Sequence, residues 1–348
     1  MKLFTFLILL FCVTYILAFK DSNSSSESSE SSNESHYIYA FEINTEIGSN
    51  QYFIVIDPSE NKIVKNVSIN IPNEFIINGI LGMDQQSNSL LLYADSYSSS
   101  IILSLDINSN EVNLYDQKLL SFKGKYPNQP IIYQNDAIYM AIETSDSRFG
   151  LVVYDYLNLV SKFYNFGLSN FSTTILPLTA FDSQNQLFYV TYSPISSNQT
   201  NLLVIDNNLA NGPSVVKQFT SIKGLEVSSK NSMLLTSPNG TYLYLIQSNN
   251  NNNGMDMCQF DLTNNICNNV FSAQMIKNYQ NSQFNPFQLS LDKSSLIVTN
   301  YVKSDKKGDM LTEVSIIDLD SLFPVASYTI NNYFNSSNPS IQYFFSYL

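Results

Sequence analysis

Past residue 35 the chain is a succession of short apolar runs broken by polar turns. Six of these runs are β-branched and aromatic and close on an aspartate: FIVID at Asp57, ILSLD at Asp106, LVVYD at Asp155, LLVID at Asp206, MCQFD at Asp261 and VSIID at Asp318. Runs of this length and composition predict strands, and a terminal Asp that can bond the amides of a turn predicts a reversal. A further strand follows each reversal, as in IVKNVSI, EVNLYDQ and SVVKQFT, and another precedes each Asp-ending run: YIYAFE, SLLLYAD, AIYMAIE, LFYVTY, YLYLIQ and SLIVTN. Upstream of that second strand lie turn signals at Asp84, Asp136, Asp182, Pro238 to Thr241 and Asp292. Before those stand inner runs, clearest in GILGM, PIIY, QLSL and SMLLT. No stretch with apolar residues at helical spacing competes with the strand pattern.

The unit is therefore four short strands, recurring at about 50 residues. A four-stranded unit leaves apolar residues on both faces, and stacking six of them around an axis buries those faces against one another. The expected fold is all-β, a six-bladed β-propeller over residues 36–348. Its first unit starts at Tyr37 with a second strand and lacks an inner one, while SIQYFFSYL, Ser340 to Leu348, is a strand with no unit of its own. The two gaps match, so the C-terminal strand is expected to complete the first blade.

The N-terminal region reads differently. Lys2 precedes an apolar run from Leu3 to Leu17, and Ala18 offers a cleavage point, which together read as a signal peptide over residues 1–18. Ile16 stands where a small residue is preferred, so an uncleaved membrane anchor is the alternative reading. Residues 19–35, dominated by DSNSSSESSESSNES, hold too little apolar surface to offset the entropy of ordering and read as a disordered acidic leader. The expected location is extracellular. The formal net charge of −12 argues against nucleic acid as a partner.

LLLYADSYSSSIILSLDINSNEV, Leu90 to Val112, resembles a blade of the NHL, YWTD and YVTN repeat propellers, with Ala94 where the YWTD type has Trp. That resemblance implies a fold and no activity. The signatures of WD, kelch and sialidase repeats are absent, and the chain has no Trp. No segment matches the opening Glu-Gly-Pro stretch of the calcium-holding gluconolactonase type, so no ligand set carries over.

His36 is the lone histidine and lies beside the leader, which excludes a His-based triad or a His-rich zinc site. There is no Gly-rich phosphate loop. Carboxylates remain: Glu42, Asp95 and Glu143 end the second strands of blades one to three, with Gln247 and Asn300 in matching places in blades five and six. These oxygens would suit Ca²⁺, against the plainer reading that strand ends are simply solvated. The connections from second to third strand are long in blades one, four, five and six, consecutive around a ring, which predicts a binding rim. Lys303, Asp305, Lys306, Lys307 and Asp309 make the blade-six loop its most charged part. Cys258 and Cys267 flank a short turn and are expected to form a disulfide in an oxidising compartment. Sequons stand at Asn23, Asn33, Asn66, Asn170, Asn198, Asn239 and Asn335. The reading that follows is a secreted, non-enzymatic propeller with no resident cofactor that binds a protein or glycan. The alternatives are a calcium-dependent hydrolase or lactonase, and a structural matrix or cell-surface protein.

Overall fold

A computed structural model describes residues 37–347 except 45–50, 70, 72–74, 85–88, 97–99, 110–111, 117–130, 135–136, 144–148, 156–157, 159, 169–177, 195–199, 209–210, 224–231, 250–253, 275–286, 291–292, 304–309 and 332–340. The expected signal peptide and leader lie outside the described residues. The described residues form 24 strands and no helix, in six four-stranded antiparallel sheets. No helix among them is long and apolar enough to cross a membrane.

Blade two shows the plan: β4 (Ile76–Asp84), β5 (Ser89–Asp95), β6 (Ser100–Asp106) and β7 (Val112–Asp116) pair in chain order. Blade three runs β8 (Ile131–Gln134), β9 (Ala137–Glu143), β10 (Phe149–Asp155) and β11 (Val160–Leu168). Blade four runs β12 (Thr179–Asp182), β13 (Leu187–Tyr192), β14 (Asn201–Asp206) and β15 (Ser214–Phe219). Blade five runs β16 (Ser232–Thr236), β17 (Leu243–Asn249), β18 (Gly254–Asp261) and β19 (Ile266–Gln274). Blade six runs β20 (Phe287–Leu289), β21 (Ser295–Lys303), β22 (Met310–Asp318) and β23 (Pro324–Asn331). The inner strand of blade four, TAFD, expected before the Asp182 turn but not pinned to particular residues, is too short to show a period.

Blade one has β1 (Ile38–Asn44), β2 (Gln51–Asp57) and β3 (Lys62–Ile69), and its inner position is taken by β24 (Ile341–Tyr347). The pairing is antiparallel, from Ile38 opposite Tyr347 to Asn44 opposite Ile341.

Period-2 alternation decides how the blades hold together. On each second strand one residue lies opposite the position two before the strand-ending Asp: Tyr39 opposite Val55, Leu91 opposite Ser104, Tyr139 opposite Val153, Tyr189 opposite Val204, Tyr244 opposite Gln259 and Ile297 opposite Ile316. Among the described residues the buried apolar side chains fall into six clusters, and each of these six residues belongs to a different one, packed on the next blade. Their strand neighbours turn the other way: Ile38 and Ala40 of blade one pack with Ile297, Val314 and Ile330 of blade six. Blades six and one are thus joined by an apolar seam like the other five. Each fully buried side chain of this kind stabilises the ring by roughly 1.5–3 kcal/mol.

Every pairing of third with fourth strand carries a register shift. In blades one, four, five and six the extra residue is Val64, Val216, Val270 or Val325, and all four are exposed. A bulge there interrupts the outermost ladder and blunts an edge that would otherwise invite another strand.

Candidate functional site

Antiparallel strands in chain order sort the connections onto two faces. First-to-second and third-to-fourth turns share one face; second-to-third connections and the links between blades share the other.

The turn face is locked by aspartate. Asp57 accepts from the Ser59 amide at 2.9 Å, the Ser59 hydroxyl at 2.6 Å and the Glu60 amide at 3.2 Å. Asp106 accepts from the Asn108 and Ser109 amides at 2.7 and 3.2 Å. Asp261 takes the Thr263 and Asn264 amides and the Asn264 side chain at 2.9, 3.0 and 2.7 Å. Asp155, Asp206 and Asp318 repeat the device. Donors that favour the anion hold the carboxyls of Asp57, Asp106, Asp261 and Asp318 below the usual range. The leading donor is the Ser59 hydroxyl, the Asn108 amide, the Asn264 side chain and the Ser321 hydroxyl respectively. Four residues after the Asp the chain adopts positive φ, at Asn61 (50°), Asn265 (58°) and Leu322 (58°).

Asp182 applies the same lock to the first turn of blade four, accepting from the Gln184 and Asn185 amides at 3.0 Å each and from the Asn185 side chain at 2.6 Å. It is buried, and the blade-five turn at Gly240 rests on it: a Cβ on Gly240 (φ 67°) would stand 2.4 Å from Asp182 Oδ1. Burial, helped by Asp182, pushes the Tyr189 phenol up to about 12.

On the opposite face the strand ends are joined by longer pieces of chain, 45–50, 193–200 and 304–309 within blades one, four and six. The blade-five ladder climbs to Asn249 opposite Gly254, leaving only 250–253. The long blade-five connection expected from Gln247 to Gly254 is thereby corrected: Gln247, Ser248, Asn249 and Gly254 belong to strands, because backbone pairing accepts any residue with a free N–H and C=O. The long loops therefore belong to blades six and one, which are neighbours, and to blade four. Five of the six links between blades, 117–130, 169–178, 220–231, 275–286 and 332–340, join strand ends on the same face and are each longer than those loops. Sequence reading passed over them because they carry no periodic signal.

The metal candidates occupy two register positions. Glu42 lies opposite Tyr52, five residues before Asp57; Gln247 opposite Asp256, five before Asp261; and Asn300 opposite Glu313, five before Asp318. Asp95 lies opposite Ser100, six before Asp106, and Glu143 opposite Phe149, six before Asp155. The five therefore do not form one ring of equivalent positions. Among the described residues no group of three or more His, Cys, Asp or Glu is placed to hold a metal. Of the charged rim, Lys303 is the last residue of β21, and Asp305, Lys306, Lys307 and Asp309 lie outside the described residues.

Cys258 and Cys267 are bonded, with S–S 2.00 Å and Cα–Cα 5.4 Å. They are not direct partners: Cys258 lies opposite Asn269 and Cys267 opposite Phe260, so the bond runs diagonally across the regular pairs of β18 and β19. Both sulfurs sit in the seam between blades four and five. The chain leaving blade four is tied there too. The Cys267 amide donates to the Lys223 carbonyl at 2.9 Å, the Lys223 amide to the Asn265 carbonyl at 3.2 Å, and the Asn265 side chain to the Thr220 carbonyl at 2.7 Å. Of the sequons, Asn66 is exposed on β3 and Asn239 is exposed in the turn after β16; Asn23, Asn33, Asn170, Asn198 and Asn335 lie outside the described residues.

These observations define the class: a six-bladed β-propeller of four-stranded blades. No family model matches the chain. An uncharacterized protein of Dictyostelium discoideum is 26% identical over 280 residues, which is 78% of this chain and 75% of that protein. Among solved structures, TolB from Acinetobacter baumannii is similar at TM-score 0.50 and 10% identity, over 88% of this chain and 66% of TolB, so the match spans slightly less than two thirds of that protein. AztD of Citrobacter koseri has TM-score 0.41 and 11% identity, over 89% of this chain and 98% of its own. The likeness to TolB is one of fold alone.

Proposed function

We propose that this chain is a secreted, non-enzymatic binding propeller that recognises a protein or glycan through its loop face, without a resident cofactor. The observation that carries the reading is the asymmetry of the ring. One face is closed by short turns whose Asp side chains are already engaged, while longer pieces of chain join strand ends on the other. Binding residues concentrate on such loops when a rigid scaffold presents them. A bonded cysteine pair and the exposed sequon asparagines Asn66 and Asn239 support passage through an oxidising, glycosylating compartment.

The test is to express the chain in a secretory eukaryotic host and use it to capture ligands from immobilised extracellular glycans and cell-surface proteins. The loops at 45–50, 195–199 and 304–309 are then replaced one at a time by short Gly-Ser turns. Loss of capture in at least one replacement, with an unchanged melt, is expected. Capture indifferent to all three contradicts the proposal.

A further inference from the structure

The sequence holds four Asn-Gly pairs. In this dipeptide the side-chain amide is open to attack by its own backbone, because glycine has no Cβ to shield its nitrogen. Asn78 lies within β4, and Asn253 lies outside the described residues. The other two pairs stand in turns that hold them in opposite ways.

Asn239–Gly240 is tied down. Asn239 Oδ1 accepts from the Ser237 hydroxyl at 2.7 Å and from the Thr241 amide at 2.9 Å, and the Gly240 amide donates to the Ser237 carbonyl at 2.9 Å. The same serine closes the turn, its hydroxyl accepting from the Tyr242 amide at 3.0 Å. Asn211–Gly212 lies in the reversal between β14 and β15, 207–213, which is longer than any other third-to-fourth turn of the ring. The Asp206 carboxylate holds only its start, at the Asn208 amide. Asn211 is exposed, and among the described residues no hydrogen bond holds its side chain or the Gly212 amide. Gly212 (φ 91°) is seated on Tyr164 of blade three, where a Cβ would fall into the ring.

We infer that Asn211 is a site of spontaneous covalent modification, at which Gly212 drives conversion of the side-chain amide to aspartate and isoaspartate. The Gly212 nitrogen gives its proton to solvent base and bonds Asn211 Cγ; the Cγ–Nδ2 bond breaks and ammonia leaves. Water then opens the succinimide at either carbonyl, with no transfer of electrons. At Asn239 the same attack must first break both bonds to Oδ1 and the bond from the Gly240 amide. Either product adds a negative charge to a chain already at −12, and isoaspartate also lengthens the backbone beside the Tyr164 seat. Asn211 is followed by Gly212 and Pro213, so it is no sequon and no N-glycan masks it. The inference is independent of the loop-face reading, because this reversal lies on the turn face.

The experiment uses the secreted full chain carrying Thr241→Val, which removes the Asn239 sequon and keeps the backbone amide at 241. Native protein and protein unfolded in guanidinium are aged side by side in mildly alkaline buffer, and peptide mapping quantifies aspartate and isoaspartate at both sites. In the native chain Asn211 is expected to convert at least about tenfold faster than Asn239, the factor that breaking one or two hydrogen bonds imposes. In guanidinium the two rates should converge. A more alkaline buffer should speed conversion at native Asn211, because the attacking nitrogen must lose its proton. Wild-type chain exported to a bacterial periplasm, where the sequon is not read, repeats the measurement without a substitution, and the same order is expected. Equal native rates at the two sites, faster conversion at Asn239, or a tenfold difference that persists in guanidinium each overturns the inference.

Discussion

The turn face and the loop face of this propeller are made from the same strands and differ in what joins them. On the turn face Asp57, Asp106, Asp155, Asp206, Asp261 and Asp318 each spend a carboxylate on the backbone of their own reversal, and Asp182 adds a seventh such lock. On the loop face the polar groups at strand ends do a different job: Gln51 and Asn201 tie the chain that leads to the next blade. A carboxylate already holding turn amides has little left for a ligand. Substitutions on the turn face should therefore change stability and spare binding, and substitutions on the loop face should do the reverse.

The largest effect expected from a single substitution is Gly240→Ala. It puts a Cβ at positive φ and within 2.4 Å of Asp182 Oδ1, so backbone strain adds to a clash with a carboxylate that is itself fixed. A loss of about 3 kcal/mol in denaturant unfolding is expected. Asp182→Ala comes next, at about 2 kcal/mol, because it strips charge-assisted hydrogen bonds from a buried turn. Neither should alter ligand capture. Replacing 304–309 by a short turn should change stability by under ~0.5 kcal/mol, since loop length enters closure entropy only logarithmically, yet lower capture.

Acid sharpens the same contrast. The carboxyls of Asp57, Asp106, Asp261 and Asp318 are held below the ordinary value of 3.8 in the folded chain. Their contribution is fully present above that value and is lost as pH falls through the depressed folded range. Melting temperature should therefore drop below about pH 4, and Asp261→Asn should flatten the fall, an effect of a few degrees at most. The smallest effect is local. Glycopeptide mapping of the secreted chain should find Asn66 occupied, since its side chain is exposed on β3, and Asn66→Gln should remove one glycan without moving the melt.

The blades were legible in the sequence because each third strand ends in an Asp, and a carboxylate that caps a turn leaves a residue-level mark. The tyrosines facing the next blade at Tyr39, Tyr139, Tyr189 and Tyr244 leave such a mark as well. It emerges only when strands are aligned by register, because Leu91 and Ile297 take the position in the other two blades. Register also separated Glu42 from Asp95 and Glu143: reading strand ends by eye slips by one residue, and one residue changes the face. The burial of Ser193 was illegible for a different reason. A serine before Pro194 reads as loop chemistry, yet its side chain is fully buried.

All of this depends on the seam between blades six and one being as firm as the rest, with β24 as the inner strand of blade one. The most direct measurement compares thermal and denaturant unfolding of the full chain with a chain ending at Pro339. The account predicts that the shortened chain, with β1 stripped of its partner from Ile38 to Asn44, loses its single cooperative transition or melts far below the full chain. A shortened chain that unfolds in one transition at the full-length temperature would contradict it.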